Sequence, residues 1–465
     1  MATENKTGLV YNIEDRPPFL ESLFAAFQHL FAIVVSICTP PLLIAGGLGC
    51  DQATTSFLVS MALFASGIST FVQCRRFGFI GARLLCVQGT SFQFLGPCIA
   101  CGVTAVAAAT AAAKAAGVEP GTAASYAYGL PTVFGCCMAA APIEMIAAYC
   151  FKYLKRVITP VVSGTVVILI GLSLVKVGLI TAAGGFGSMS PDAPFHFGCW
   201  QNLAAAGAVI VTVVFFNCFK NKFLRMGSVV FGIFAGLIVA ACLGIKPQTL
   251  NINWASAALP IPFKFGMHFD ISSIIGFAFI YLVTAIEATG DMTANSLISG
   301  LSVKDEDYHK RVRGGVFADG FNSALACVFN SFPNSIFAQN NGIIQLTGVA
   351  SRYVGYFVAA ILILLGLYKP VGDLFSLIPD PVLGGATLLA FGMVASAGIR
   401  IVAQETMTHK TALVLALSLA IGVGVELVPD VLKTLPQALS NVLSNGIVVG
   451  GLIAIISNLV IPEEK

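Results

Sequence analysis

Long runs of apolar residues recur from residue 22 to the C-terminus, and they constrain this chain more than any other feature of its sequence. A helix that crosses a lipid bilayer needs about 20 mostly apolar residues. Only 10% of the 465 residues are charged, against roughly 25% in an ordinary soluble domain. The pattern therefore predicts an all-α polytopic membrane protein, and we expect fourteen transmembrane segments.

Basic residues are distributed unevenly among the connections between these segments. If the N-terminus lies in the cytoplasm, the even-numbered connections carry most of the arginine and lysine, including Arg75, Arg76 and Arg313. Cytoplasmic loops of membrane proteins are enriched in such residues, so we expect both termini to face the cytoplasm. The first apolar run follows "EDRPPFLES" with no small-residue cleavage site, which predicts a retained helix and no signal peptide.

Several function classes find no support in the composition. The net charge of +3 comes with no basic stripe, so no nucleic-acid partner is expected. The one C-x-x-C pair, Cys98 with Cys101, has no second pair or histidine to complete a four-ligand zinc site. No phosphate-binding G-x-x-x-x-G-K-[ST] occurs, and no nucleophile with a partnered base is evident. We expect neither an enzyme nor a bound metal or cofactor.

Two distant stretches of the chain read alike, "ITPVVSGTVVILIGLSLV" from Ile158 and "PDPVLGGATLLAFGMVAS" from Pro379. A proline, small residues that allow close helix contact and a branched apolar run recur at one constant offset. If each stretch is the fifth segment of its half, the second half is inverted in the membrane. We therefore expect a 7+7 inverted repeat, with residues 22–245 and 246–462 as the two halves after a cytoplasmic segment, 1–21.

Two segments inside the apolar runs are interrupted and polar: "CVQGTSFQFLGP" from Cys86 and "NSIFAQNNGIIQLTG" from Asn334. Irregular backbone at membrane depth is tolerated only where it is buried in protein or lines a cavity. Transporters with inverted repeats place the substrate on such broken segments near the midplane. The amides of the second segment are therefore predicted to line a cavity; they are Gln339, Asn340, Asn341 and Gln345.

Three carboxyl groups also lie within apolar runs. Glu287 and Asp291 are four residues apart and share a helix face. An acid at a helix centre costs about 2.5 to 3.5 kcal/mol on insertion scales and usually faces a partner or a water-filled path. We favour a functional role for both over a structural hydrogen-bond pair. Asp319 follows a charged run closely, so a helix-end anchor stays an equal alternative for it.

Two further residues stand out from their apolar surroundings. His29 could carry protons because its ordinary pKa is about 6.5, although a structural hydrogen bond between helices is the favoured interpretation. Phe92 is either a core residue or a stacking platform for a flat ring. Amides, acids and an aromatic face suit a planar heterocycle with N–H and C=O groups. Intramembrane acids in a chain without a nucleotide-binding motif indicate a transporter driven by an ion gradient. Protons are the simplest coupling ion, and sodium is the alternative.

The stretch "QNNGIIQLTG" fits the signature of the nucleobase-ascorbate transporters: Gln, Glu or Pro, then Asn, any residue, Gly, four of any kind, Thr, and Arg, Lys or Gly. With "AIEATGDMTANS", "ADGFNS", "QGTSF", "AFQHL" and "EDRPPF", the chain resembles this family over nearly its whole length. The surrounding "SFPNSIFAQNNGIIQLTGVASRYVG" is most similar to bacterial purine permeases for xanthine or uric acid.

The resemblance implies an architecture. Fourteen helices would form a core domain, from segments 1–4 and 8–11, and a gate domain, from segments 5–7 and 12–14. Two short antiparallel strands would lie in segments 3 and 10. The family pattern further implies a homodimer in the lipid of the cell membrane, working by elevator-type alternating access.

The resemblance also implies roles for single residues. The substrate-binding set would be Glu287 as the purine-binding carboxylate, Gln339 as a second anchor, Phe92 as the stacking ring, Ala338 through its backbone, Ser91 at a position that varies with substrate, and Asn340 as the residue that holds the motif's geometry. Asp291 and Asp319 would be needed for turnover, and His29 would affect affinity. Thr347 and Gly348 would lie at the end of the motif that influences specificity.

The function expected from these observations is secondary active import of a purine by proton symport, with xanthine as the first candidate and uric acid as the second. The alternative is an anion transporter or channel, of the sulfate or bicarbonate type, on the same inverted architecture. That alternative needs a basic or helix-dipole anion site, whereas this chain places acids in the membrane.

Overall fold

We describe the protein from a computed structural model, which covers residues 9–462 apart from 116–127, 158, 190–193, 220–223, 226, 246–251, 253, 304, 404 and 433–445. The predicted boundary between the two halves, at residue 246, therefore falls outside the described residues. Within them the chain is mostly helical.

The first half of the described chain contains, in order, α1 (Phe19–Gly47), α2 (Gln52–Arg75), β1 (Gln88–Thr90), a 3-10 turn (Phe92–Phe94), α3 (Leu95–Ala115), α4 (Leu130–Ala140), α5 (Pro142–Val157), α6 (Pro160–Ala182), a second 3-10 turn (Phe186–Met189), α7 (Trp200–Cys218) and α8 (Ser228–Cys242). The second half contains α9 (Ile271–Ile298), α10 (Glu306–Val328), β2 (Asn334–Ile336), α11 (Gln339–Thr347), α12 (Arg352–Leu367), α13 (Lys369–Ser376), α14 (Asp380–Val402), α15 (His409–Leu427), a 3-10 turn (Pro429–Leu432) and α16 (Gly446–Val460).

Many of these helices match the dimensions of a bilayer. Among the described residues, nine helical stretches are long and apolar enough to cross a membrane, and α8, α12 and α16 are shorter apolar helices. The chain is thus a multi-pass membrane protein. The fourteen-segment count and the 7+7 arrangement stay predictions.

Aspartates begin the two helices that carry the intramembrane acids. Asp270 accepts a hydrogen bond of 2.7 Å from the backbone N–H of Ser273, at the start of α9. Asp305 does the same for Tyr308 at the start of α10, also at 2.7 Å. An N-cap side chain satisfies an N–H group of the first turn that has no partner within the helix. These caps mark where α9 and α10 start, and with that how far along each helix its acids lie.

The two similar stretches found in the sequence become α6 and α14, and these helices pack against each other. A Cβ atom added at Gly171 would lie 2.4 Å from the backbone nitrogen of Ala395, and one at Gly384 would lie 2.0 Å from that of Ala182. Early residues of one helix meet late residues of the other, so α6 and α14 run antiparallel. Lipid is as apolar as a leucine side chain, so such close backbone contact is what holds the pair together.

An N-terminal strap, residues 9–15, lies along the chain just after α11. Gly348 accepts hydrogen bonds from the backbone N–H groups of Val10 (2.8 Å) and Tyr11 (3.1 Å). Arg352 donates its own backbone N–H to Ile13 (3.1 Å). The strap therefore joins the N-terminal region to the end of the signature motif, a contact that no sequence pattern indicated.

Glycines at equivalent positions of the two repeats should respond oppositely to alanine. Gly171→Ala forces a Cβ into the backbone of α14, and overpacking of this kind typically costs about 1 to 3 kcal/mol. Gly392 has no atom within 4 Å of an added Cβ, so Gly392→Ala should be neutral or stabilise by up to about 1 kcal/mol through helix propensity. Thermal unfolding of the purified protein in detergent measures both. Equal losses in the two variants would contradict the close packing of α6 on α14.

Candidate functional site

The two broken segments meet as a two-stranded sheet inside the helix bundle. β1 and β2 pair antiparallel, with Gln88 opposite Ile336. Ser91 continues the pairing by donating its backbone N–H to the carbonyl of Pro333 at 2.9 Å. All residues of both strands are buried. Each strand thus supplies the hydrogen-bond partners that the other would lack in an apolar interior.

A glycine lets this sheet approach α1. A Cβ added at Gly89 would lie 2.6 Å from the Ile37 side chain and 2.7 Å from the ring of Phe337. Any larger residue would push the strand away from the helix, since glycine in a strand often marks such an approach. The Gly of "QGTSF" therefore sets the position of the residues that follow it.

Glu287 lies on α9 and is half-buried. It accepts a hydrogen bond from the side-chain amide of Gln93, which belongs to the 3-10 turn directly after β1. Gln93 is 5% exposed, and its own carbonyl oxygen has no partner among the described residues. The acid of the second half is thus tied to the broken segment of the first half. Sequence reasoning missed Gln93 because only the neighbouring Ser91 and Phe92 matched a motif.

Asp319 lies well inside α10 and is fully buried, so it is not at a helix end. Its carboxylate accepts a hydrogen bond from the side chain of Gln88 in β1. The carbonyl oxygen of Gln88 accepts in turn from Asn322 at 2.6 Å. Thr70 fixes the same strand residue by accepting its backbone N–H at 3.0 Å. An amide that donates and accepts at once therefore connects β1 to α10.

A further acid, Glu144 in the first turn of α5, lies beside Asp319. Glu144 is fully buried. Neither of its carboxyl oxygens receives a hydrogen bond from the described residues. The two helices are close there, since a Cβ at Gly320 would lie 3.0 Å from that of Glu144. No motif of the sequence includes Glu144. The available signal was one acid inside the otherwise uncharged run "APIEMIAAYC".

Two of the signature amides join helices. Asn340 is fully buried and donates its side-chain N–H to the carbonyl of Leu85, just before β1. Asn341 donates to the carbonyl of Asp291 at 3.1 Å and accepts from Asn295 at 2.9 Å. These two amides thus make hydrogen bonds within the protein, and the lining of a cavity by the four amides stays a prediction. They hold α11 against α9 and against the first broken segment.

The remaining residues of the predicted binding set lie at the edge of this network. Ala338 and Gln339, at the start of α11, are exposed, and no hydrogen bond between Gln339 and Glu287 is present in the described chain. The ring of Phe92 is half-buried and packs edge-on against Phe391 of α14, with centroids 5.8 Å apart. Ser91 is buried, and its hydroxyl has no partner among the described residues.

His29 lies on α1 beside Asn340 of α11, and Thr347 and Gly348 lie at the C-terminal end of α11. His29 is 1% exposed, with the Asn340 side chain beside it, but neither ring nitrogen makes a hydrogen bond of normal geometry within the described chain. Thr347 donates its hydroxyl to Ile343 at 2.9 Å. Gly348 ends α11 with φ +70°, a left-handed conformation that favours glycine at this position.

Comparison with known proteins places this arrangement in context. A model of a permease family matches residues 20–431. The xanthine permease XanP of Escherichia coli K12 is 42% identical over 466 residues, covering 100% of this chain and 97% of XanP. XanQ of the same strain, also named a xanthine permease, is 40% identical, covering 99% of this chain and 96% of XanQ. The nucleobase transporter PlUacP of Paenibacillus larvae is 32% identical, with coverage of 94% and 93%.

Solved structures with a similar fold are more distant in sequence. The transmembrane domain of the cyanobacterial bicarbonate transporter BicA gives a TM-score of 0.58 at 14% identity, covering 96% of this chain and 99% of that one. Murine Slc26a9, an anion transporter in the inward-facing state, gives 0.62 at 13% identity, covering 95% and 69%. At these identities the likeness concerns the fold alone.

Replacing Gln93 tests the contact between the two halves. Gln93→Ala removes the donor that holds the Glu287 carboxylate, and hydrogen bonds to charged groups contribute about 1.5 to 3 kcal/mol. We expect the KM of substrate uptake to rise about tenfold or more, since 1.4 kcal/mol corresponds to a factor of ten, with little change in the amount of protein in the membrane. Gln201→Ala, on the peripheral helix α7, is the matched control. An unchanged KM for Gln93→Ala would show that Glu287 needs no positioning by this amide.

Proposed function

The chain belongs to the nucleobase-ascorbate transporter family of permeases, and from that premise we propose that it imports an oxopurine, xanthine first and uric acid second, together with a proton. The relatives named xanthine permeases match it end to end at 40% and 42% identity, which supports transport of a nucleobase. The remaining parts of the proposal rest on the geometry of the acids and amides.

The contact between Glu287 and Gln93 is the observation that carries the substrate assignment. Gln93 bonds one oxygen of the carboxylate, and the other oxygen receives no hydrogen bond from the described residues. A carboxylate oxygen of this kind accepts an N–H group of a purine edge. The unpaired carbonyl of Gln93 lies next to it and can accept a second N–H. Compounds without such donors leave buried polar atoms unpaired and are rejected strongly.

The other predicted contacts complete the site in this proposal. The exposed side chain of Gln339 reaches the substrate from α11 as the second anchor, and Ala338 contributes its backbone. Phe92 stacks on the flat ring. Ser91, Thr347 and Gly348 adjust which purine fits.

In this proposal the coupled proton binds to the two acids beside β1, Glu144 and Asp319. Glu144 and Asp319 lie next to each other in a fully buried position. Burial and like charge both disfavour ionising two neighbouring carboxyl groups at once. We therefore assign the coupled proton to this pair. Gln88 links Asp319 to the strand that positions Gln93, so movement of β1 and loss of that proton are mechanically connected.

The transport cycle is proposed to follow the family pattern. The unit held together by β1, β2, α9 and α11 carries the substrate past the tight pair formed by α6 and α14. Both termini lie in the cytoplasm, fourteen segments form the 7+7 repeat with core and gate domains, and two copies form a homodimer.

Anion transport is the second candidate, because the bicarbonate transporter BicA and murine Slc26a9 have a similar fold. An anion site needs positive charge, and in the described chain the residues beside the sheet are acids and amides. The Glu287 carboxylate would repel a sulfate or bicarbonate ion. The purine proposal therefore explains the charge of the site better.

Uptake of labelled compounds separates these proposals. In cells without their own carriers, we expect accumulation of xanthine and, more weakly, uric acid, but neither uracil nor sulfate. A protonophore should abolish accumulation, because the driving force is the proton gradient. Sulfate uptake would overturn the purine assignment, and xanthine accumulation that survives the protonophore but needs sodium would overturn the proton assignment.

Removing the charge of Glu287 should stop transport without removing the protein. Glu287→Gln replaces an acceptor oxygen by an N–H₂ group, which meets the substrate N–H as a second donor. We expect uptake to fall by about 100-fold or more, as is typical when a buried polar match is broken. Glu306→Gln, at an exposed glutamate whose side chain is 91% accessible, is the control with the same chemical change. Full-rate transport by the Glu287 variant would remove this carboxylate from the mechanism.

A further inference from the structure

A cavity lies beside the N-terminal strap. It has a volume of about 500 Å³ and is lined by five arginines: Arg16, Arg75, Arg76, Arg83 and Arg352. We call it the arginine cavity. The rings of Tyr353 and Tyr356 form part of its wall. The proposed transport mechanism assigns no role to any of these side chains.

Positive charge in this cavity is not balanced by the described residues. Glu14 of the strap is paired with Arg83 (3.0 Å) and with Arg352 (2.9 Å). Arg16, Arg75 and Arg76 have no carboxylate within 4 Å in the described part of the chain. Burial raises the pKa of Glu14, but hydrogen bonds from Arg352 and Arg83 lower it by more, so this acid stays ionised at neutral pH.

The backbone is bent to bring these arginines together. Arg76 has φ +59° and Arg83 has φ +57°, in the left-handed region that residues other than glycine seldom adopt. Such conformations cost of order 1 kcal/mol or more and persist where the surroundings hold them, often at functional sites. The deepest guanidinium is that of Arg352, whose side chain is 11% exposed. It is held by Glu14 and by the hydroxyl of Tyr356 at 2.5 Å.

We propose that the arginine cavity binds an anion with a phosphate group and at least two negative charges, either the phosphate chain of a soluble nucleotide or the headgroup of an anionic lipid. The guanidinium group is planar and matches two phosphate oxygens at once. The volume lies within the range of about 300 to 1,000 Å³ that small-molecule sites occupy, and it is larger than one inorganic phosphate needs. Among the described residues the basic side chains of the lining are all arginines, which favours forked recognition over a general attraction of anions.

The position of the cavity gives such an anion a route to the transport site. A phosphate bound to Arg83 and Arg352 competes with Glu14 for the same guanidinium groups. Glu14 belongs to the strap that hydrogen-bonds Gly348 at the end of α11. Binding therefore changes how firmly the end of the signature motif is held. This proposal does not depend on which substrate is transported.

Binding to the purified full-length protein tests the proposal, with two arms that distinguish the sources. In nanodiscs of phosphatidylcholine, inorganic pyrophosphate and ATP are the soluble probes, and sodium chloride at equal ionic strength is the screening control. In the second arm, phosphatidylglycerol replaces part of the lipid and no soluble anion is added. The readouts are the shift in Tm and, for pyrophosphate, the Kd by calorimetry.

The test variant is Arg75→Gln with Arg76→Gln, and the matched control is Arg225→Gln with Arg400→Gln, two exposed arginines outside the cavity. We expect the test variant to bind pyrophosphate about tenfold more weakly or worse, while the control keeps its Kd. A Tm shift confined to the lipid arm, and lost in the test variant, assigns the site to a lipid headgroup. If neither arm shifts Tm, or if both double variants respond alike, the proposal is wrong.

Arg75→Gln alone covers the case in which the double variant does not fold. No hydrogen bond or ion pair joins this side chain to the described residues, so its loss should not disturb the fold. The ligand-free Tm of the single variant should equal that of the unchanged protein, whereas its Tm shift with the effective probe should be smaller. An equal shift would contradict the proposal.

Discussion

Backbone that leaves helical geometry inside an apolar interior must find its hydrogen-bond partners within the protein. In this protein the pairing of the two broken segments meets that requirement, and the position of the proposed site depends on it. β1 and β2 satisfy each other's backbone hydrogen bonds, so each broken segment depends on the other for its partners. Gln93 and Ser91 are placed by the strand before them, and α11 starts directly after β2. The proposed substrate site is therefore a product of strand pairing between distant parts of the chain, and a change that weakens the pairing would move every residue of the site.

Amides are the connecting groups of this interior, and their chemistry explains why. Gln88 donates to Asp319 while accepting from Asn322, and Asn341 accepts from Asn295 while donating to a backbone carbonyl. A lysine or arginine in these places would form ion pairs that are expensive to bury and costly to break. A neutral amide satisfies an acid or a carbonyl without such a penalty. Acids can then change their protonation while their neighbours stay bonded.

Sequence patterns predict the helices and the breaks in them, because both depend on local composition. Apolar runs indicated the helices, and interrupted polar segments indicated that the chain leaves helical geometry near Gln88 and Asn334. Contacts between elements depend on helix rotation, which periodicity does not determine. The approach of Glu144 to Asp319 and the hydrogen bond from Gln93 to Glu287 are of this kind.

The two copies of the repeat also show that a sequence pattern does not determine contacts between helices. Gly171 and Gly392 are equivalent in sequence, yet one touches the neighbouring backbone and the other faces open space. The N-terminal strap also escaped notice, because its hydrogen bonds are made by backbone groups that every residue carries.

The contrast between two kinds of packing supports the proposed division into moving parts. Polar hydrogen bonds join β1, β2, α9, α10 and α11, and such bonds fix geometry because they weaken steeply when misaligned. Between this unit and the α6–α14 pair, the contact of Phe92 with Phe391 is apolar, and a cavity of about 510 Å³ opens where α3 and α9 face α6 and α15. Apolar contacts have no preferred direction. Movement across the apolar contact of Phe92 with Phe391 meets no such directional requirement, whereas sliding within the amide network would break several hydrogen bonds together.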